Sequence, residues 1–276
     1  MTDSGLPTRL VGQHALVTGA GTGIGRAIAL RLAAEGASVS LVARDGTRLE
    51  ETIRTARANG ASGGLHAISC DIRDQAALVE CLKGAAGELG PLDAVIANAG
   101  LGGPNGPGFQ PSTEPDRFHD LVATNLTGTY QTFLAARPHL RPHPHPGGDR
   151  RRHLVAIASI LARIGVPGYS GYCASKAGIG GLVRALAAEL AGEDIQVNAV
   201  APGWVDTEMA REGLQGMASG MGISLEEAHA MAMKEVPLGR MGQPEDVAGL
   251  VAWLVSADAN GVTGQTIDIN GGAFML

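Results

Sequence analysis

Thr18-Gly19-Ala20-Gly21-Thr22-Gly23-Ile24-Gly25 follows the short apolar run His14 to Thr18 and precedes residues spaced as one helix face, Ile24, Ile28 and Leu32. That placement predicts strand, glycine-rich turn, helix. Glycines let a backbone turn sharply and approach a pyrophosphate, whose charge then meets the amides at the positive end of the helix. In a chain with 41 glycines the pattern alone would say little. Its position between strand and helix makes it a candidate dinucleotide site.

The same alternation continues outward. Ser38 to Ala43 precedes a charged helix to Ala58, Leu65 to Cys70 precedes Gln75 to Leu89, and Leu92 to Ala97 precedes a long helix ending near Ala136. Leu154 to Ile157 then leads to a helix from about Ser170 to Ala191, Ile195 to Val200 ends at Pro202-Gly203, and a helix from Glu245 to Val255 leads to a seventh strand at Thr266 to Ile269. Repeated strand-helix units without a linker predict one α/β domain over residues 1–276. The expected form is a doubly wound, Rossmann-type parallel sheet of seven strands with helices on both faces.

Two segments break the rhythm. Pro138 to His153 holds four prolines and four histidines and reads as an exposed loop. His143 and His145 have no carboxylate or cysteine completing a spaced ligand set, so no metal is expected there. Glu208 to Met241 holds six of the eight methionines. It follows a strand end, where open α/β sheets bind ligands, and reads as a substrate-side lid over about residues 208–241.

The net charge of -6 offers no basic face for nucleic acid or an anionic membrane. Cys70, Cys81 and Cys173 form no CxxC pair, which fits a reducing compartment, and Cys173 reads as buried rather than nucleophilic. The opening residues lack a signal-peptide pattern, and no stretch reaches the roughly 20 apolar residues of a membrane span. A cytoplasmic location is expected.

Tyr172 and Lys176, four apart, share one face of a helix in a chain with only three tyrosines and three lysines. Hydride transfer to a ketone leaves an alkoxide that needs a proton. A tyrosine is a poor donor and base at neutral pH unless a cation such as Lys176 stabilises its phenolate. At the end of the second strand a carboxylate would accept bonds from ribose hydroxyls, whereas an arginine attracts a 2′-phosphate. The chain has Ala43-Arg44 there, which favours NADP(H) over NAD(H), although Asp45 could pair with Arg44 and blunt its charge.

The glycine spacing, Gly19, Gly23 and Gly25, resembles the fingerprint of the short-chain dehydrogenase/reductase family. The resemblance runs on through Asp71, Asn98-Ala99-Gly100, Asn125, Ser159, Tyr172, Lys176, Pro202-Gly203 and Thr207. It implies that Gly19, Thr22, Gly23, Ile24 and Gly25 meet the cofactor at the turn. Asp71 and Asn98 would line its adenosine side, Val205 and Thr207 would sit by the nicotinamide carboxamide, and Ile72, Ala99, Gly100, Pro202 and Gly203 would also meet the cofactor. Lys176 would also bond the nicotinamide ribose, Ser159 would hydrogen-bond the substrate oxygen, and Asn125 would hold a water that relays protons to Lys176. One departure is Ala97, where the family usually has a second asparagine before Asn98.

The resemblance implies a carbonyl reductase or alcohol dehydrogenase interconverting a ketone and a secondary alcohol, with Tyr172 as general acid and base. The chain is most similar to simple ketoreductases acting on 3-oxoacyl thioesters, polyketide intermediates or cyclic alcohols, and the resemblance implies a homotetramer. The alternative is a catalytically silent cofactor-binding regulator or scaffold, which would not need Asn125, Ser159, Tyr172 and Lys176 together. Enoyl reduction resembles relatives with a wider Tyr-to-Lys spacing.

Overall fold

The computed structural model describes residues 8–105, 116–142 and 152–275. Seven strands, β1 His14–Thr18, β2 Ser38–Ala43, β3 Leu65–Ser69, β4 Ala94–Ala97, β5 Arg152–Ile157, β6 Ile195–Pro202 and β7 Thr266–Ile269, form one sheet in the order β3-β2-β1-β4-β5-β6-β7. Every pairing is parallel. The order reverses between β1 and β4, and such a switch point opens a crevice beyond the carboxyl ends of the strands.

Sequence pattern explains the layering. Strands β1, β4, β5 and β6 are buried along their whole length, as a sheet covered on both faces requires. On one face pack α1 Gly23–Ala34, α2 Gly46–Ala58 and α9 Pro244–Leu254, through residues such as Ile28, Leu49 and Val251. On the other pack α3 Gln75–Leu89, α5 Gly128–Ala136 and α6 Ser170–Leu190, through Leu82, Phe133 and Val183. Among the described residues no helix is long and apolar enough to cross a membrane.

The boundaries differ from the sequence reading in a few places. Leu92 lies outside β4 and bridges Leu140. The Pro- and His-rich stretch is not loop throughout: Arg137–His139 form a 3-10 turn, and Arg152 and His153 begin β5. Arg152 can enter the sheet because its guanidinium donates to the carbonyls of Arg141 and Glu193. His143 and His145 lie outside the described residues. The 208–241 segment is two helices, α7 Glu208–Met221 and α8 Leu225–Lys234. Its methionines divide: Met233 is buried with Leu214, Ala232 and Val236, while Met209, Met221 and Met231 are exposed.

Between β1 and β4 the sheet is tied by a buried polar group. His14, 1% exposed, receives a bond at Nε2 or gives one there to Ser40 Oγ at 2.9 Å, and its Nδ1 lies 2.7 Å from the Gly90 carbonyl. The carbonyl can only accept, so Nδ1 carries the proton and Nε2 accepts from Ser40. Asp93 accepts from the His14 amide at 2.8 Å and from Arg141 at 2.7 Å. Burial pushes the His14 imidazole below its ordinary value. Below about pH 6.5 the unfolded chain therefore takes up a proton that the folded chain refuses, and stability falls as pH falls. Unfolding free energies from urea titrations between pH 7 and 5 should drop less steeply in His14→Gln, by up to about 1.4 kcal/mol per pH unit. Parallel slopes would contradict this.

Candidate active site

The crevice at the switch point is built by close contact between two strand ends. Thr18 Oγ1 accepts from the amides of Asn98 at 3.0 Å and Ala99 at 3.1 Å, while Asn98 Nδ2 donates to the Thr18 carbonyl at 2.9 Å. The glycine turn is threaded past this lock. Gly19 has φ +69°, and a Cβ on it would lie 2.8 Å from Asn98 Nδ2. A Cβ on Gly25 would overlap the Gly19 carbonyl and the Asn98 amide. Gly23 has φ +51°, and a Cβ on it would lie 3.2 Å from the Thr207 methyl. The turn is thus a cradle no side chain fills, and Thr22 makes no side-chain cap to the first amides of α1. Those amides are available to an anion, so the residues present fit a dinucleotide pyrophosphate.

Beside the turn lies a cleft of about 750 Å³, lined by Gly19, Gly21 and Thr22, by Ala43, Arg44, Asp45 and Arg48, by Asp71, Ile72 and Arg73, and by Ala99 and Gly100. This is the size of a small-molecule site. Asp45 does not neutralise Arg44. Its carboxylate caps α2, accepting from Thr47 N at 2.9 Å and Arg48 N at 3.2 Å, and pairs with Arg48. Arg44 makes no ion pair among the described residues. Asp71 is gripped by Arg73 at 2.6 Å, which holds its carboxyl below the usual range. Ile72 packs over Gly128. Arg48 and Arg73 were not singled out in the sequence; their only signal there is a basic residue shortly after a strand end.

Farther along the same edge, β5 ends at Ile157 and Ser159 caps a 3-10 turn, Ile160–Ala162, by accepting from Leu161 N at 3.2 Å. That bond uses a lone pair and leaves the hydroxyl proton free to be donated. Tyr172 and Lys176 lie one turn apart on α6. Lys176 Nζ is buried, donates to the Ile157 carbonyl at 2.8 Å and stands 5.8 Å from the centre of the Tyr172 ring. Burial pushes the ammonium down to about 8. Burial also pushes the Tyr172 phenol up, and a hydrogen bond from Ser159 acts in the opposite sense. The sequence reading gave the stabilisation of the phenolate to Lys176. Here the lowering influence is Ser159, and Lys176 lies over the ring face.

Several residues hold these groups. Asn125 sits in a π-helical turn, Ala123–Thr127, between α4 Phe118–Val122 and α5. Its Oδ1 accepts from Leu101 N at 2.8 Å, and its Nδ2 donates to the Leu101 carbonyl at 3.0 Å and to Ser175 Oγ at 3.1 Å. Ser175 in turn donates to the Tyr172 carbonyl at 2.8 Å. The first turn of α6 has no side-chain cap of its own. Buried Asn105 supplies one, accepting from Gly171 N at 3.1 Å and Ser170 Oγ at 3.2 Å. Ser175 and Asn105 were missed because no local pattern links them to partners 50 and 66 residues away.

After β6, Gly203 passes Asn270 so closely that a Cβ would stand 2.9 Å from its Cα. Val205 is buried, and Thr207 caps α7 by accepting from Ala210 N at 3.2 Å. Met209 on α7 lies over Gly102, whose Cβ would be 2.6 Å from the sulfur. Cys173 is only half-buried, contrary to expectation, with its thiol 3.8 Å from the Ile164 carbonyl. Cys70 and Cys81 are buried, and burial pushes the Cys81 thiol up to about 12.

Comparisons agree with this architecture. A family model described as Enoyl-(Acyl carrier protein) reductase matches residues 19–273. The 3-oxoacyl-[acyl-carrier-protein] reductase FabG of Pseudomonas aeruginosa is 37% identical over 96% of this chain and 99% of its own. A crystal structure of a variant actinorhodin polyketide ketoreductase with NADPH superposes with a TM-score of 0.84 at 34% identity, covering 95% of this chain and 97% of the other. Levodione reductase superposes with a TM-score of 0.87 at 29% identity, covering 96% and 98%. With the fold, the glycine turn and this coverage in agreement, the chain belongs to the short-chain dehydrogenase/reductase family.

Proposed function

We propose that the chain is an NADP(H)-dependent reductase of ketones, working in reverse as a secondary-alcohol dehydrogenase, with Tyr172 giving or taking the proton. The observation that carries this is the meeting of Ser159, Tyr172 and Lys176 at the strand edge that bears the open glycine cradle. When bound, the nicotinamide supplies or accepts the hydride. Gly19, Thr22, Gly23, Ile24 and Gly25 hold the pyrophosphate, Arg44 takes the 2′-phosphate, and Asp71, Ile72, Asn98, Ala99 and Gly100 border the adenosine side. Pro202, Gly203, Val205 and Thr207 border the nicotinamide side, and Lys176 holds its ribose. The lack of an acid at Ala43-Arg44 weighs against NAD(H).

Ser159 donates to the substrate oxygen and favours the charge that develops there. Tyr172, raised by burial, keeps its proton at neutral pH and delivers it to that oxygen. Lys176 keeps a positive charge beside the ring, and Asn125 holds the water of the relay. Relatives named as 3-oxoacyl and polyketide ketoreductases support a 3-oxoacyl thioester or polyketide-like ketone as substrate. On this reading residues 1–276 are one catalytic domain, residues 208–241 cover the substrate, and four copies assemble in the cytoplasm.

A panel of ketones, alcohols and enoyl thioesters followed by nicotinamide absorbance tests the reaction. NADPH should be consumed with a ketone and not with an enoyl thioester; the reverse result would replace ketone reduction with enoyl reduction. Tyr172→Phe should lower kcat by about 10²- to 10⁴-fold while NADPH binding, read by fluorescence, stays unchanged. Equal turnover would remove Tyr172 from the chemistry. Lys176 loses its charge as pH rises through about 8. The rate of ketone reduction should therefore be level below that pH and fall above it, which a pH profile at saturating cofactor and substrate reads directly.

A further inference from the structure

Three guanidiniums line the cleft beside the glycine turn: Arg44, Arg48 and Arg73. Arg73 is already held, because Asp71 accepts from its backbone amide at 3.0 Å and from its side chain at 2.6 Å. Arg48 is placed differently. Its Cβ stands 3.1 Å from where a side chain on Gly21 would begin, so its stem lies against the glycine turn. Its guanidinium is shared between Asp45 at 3.5 Å and Glu208 at 3.2 Å. Asp45 is anchored as the cap of α2. Glu208 is the first residue of α7, has a side chain 67% exposed, and pairs with Arg48 alone among the described residues. The next residue, Met209, covers Gly102 at the substrate end.

We infer that Arg48 is a second cation for the 2′-phosphate of the cofactor and that Glu208 is its intramolecular competitor. The phosphate end of the cleft is thereby coupled to the helix over the substrate end. This rests on the NADP(H) reading given above. A phosphate monoester brings nearly two charges and takes a guanidinium through paired bonds, whereas Glu208 offers one solvated contact, so the phosphate wins the exchange. Glu208 then keeps only the weaker attraction of the α7 amides. NADH has no group that draws Arg48 away.

Fluorescence titration of the full chain with NADPH and NADH tests this. Arg48→Met should weaken NADPH by about tenfold or more and leave NADH unchanged. Glu208→Gln should tighten NADPH by about two- to fivefold, again without effect on NADH, and should do nothing in the Arg48→Met background. A gain in affinity cannot come from misfolding. If the wild type prefers NADPH but Arg48→Met keeps that preference within about twofold, Arg48 is not a phosphate ligand and the inference falls while the cofactor reading stands. If the wild type binds both cofactors equally, the NADP(H) reading fails and takes this inference with it.

Discussion

The side chain of Asn98 presses on the glycine turn, and the rest of the site is arranged around that contact. Asn98 and Thr18 exchange bonds across the switch point between β1 and β4, and the space they leave admits a backbone but no Cβ at Gly19 or Gly25. The first strand, the fourth strand and the start of α1 are thus set relative to one another by one packed junction. A junction this tight leaves the amides at the start of α1 facing the cleft. Both the anion site and the direction in which β4 delivers the loop at Leu101 follow from it.

From Leu101 the order passes to the chemistry. Asn125 grips both polar groups of Leu101 and, through Ser175, the backbone of Tyr172. Asn105 fixes the first turn of the same helix from the other side. These residues act by position and leave the charge balance to burial. Burial moves the phenol up and the ammonium down to about 8, which reverses their order in water and sets the two groups further apart in proton affinity, so the ammonium gives up its proton before the phenol does. Ser159, as a donor, opposes the rise of the phenol at close range, while the Ile157 carbonyl accepts from the ammonium and holds it in place.

Much of this was legible in the sequence because it is local. Strand-helix alternation reports which faces are buried, and it gave the seven strands, their class and the positions of the turns to within a residue or two. The glycine spacing and the Tyr172–Lys176 interval are also local, and the structure brings both to one edge of the sheet. What could not be read is what depends on distant partners. Arg152 reads as loop until the carbonyls of Arg141 and Glu193 are seen to receive it. Asp45 seemed a rival for Arg44 because adjacency is visible in a sequence and helix capping is not. The methionines of the 208–241 segment looked alike, yet only folding decides that Met233 enters a core and Met209 covers a glycine.

The space at Gly25 is closed to a side chain, and on this account that closure keeps the turn open to a cofactor. Titration of Gly25→Ala with NADPH, followed by fluorescence alongside far-UV circular dichroism, tests it most directly. The expected result is saturable binding to the wild type and loss of at least about tenfold in affinity in the variant, with helical signal retained. Unchanged NADPH affinity in Gly25→Ala would contradict it.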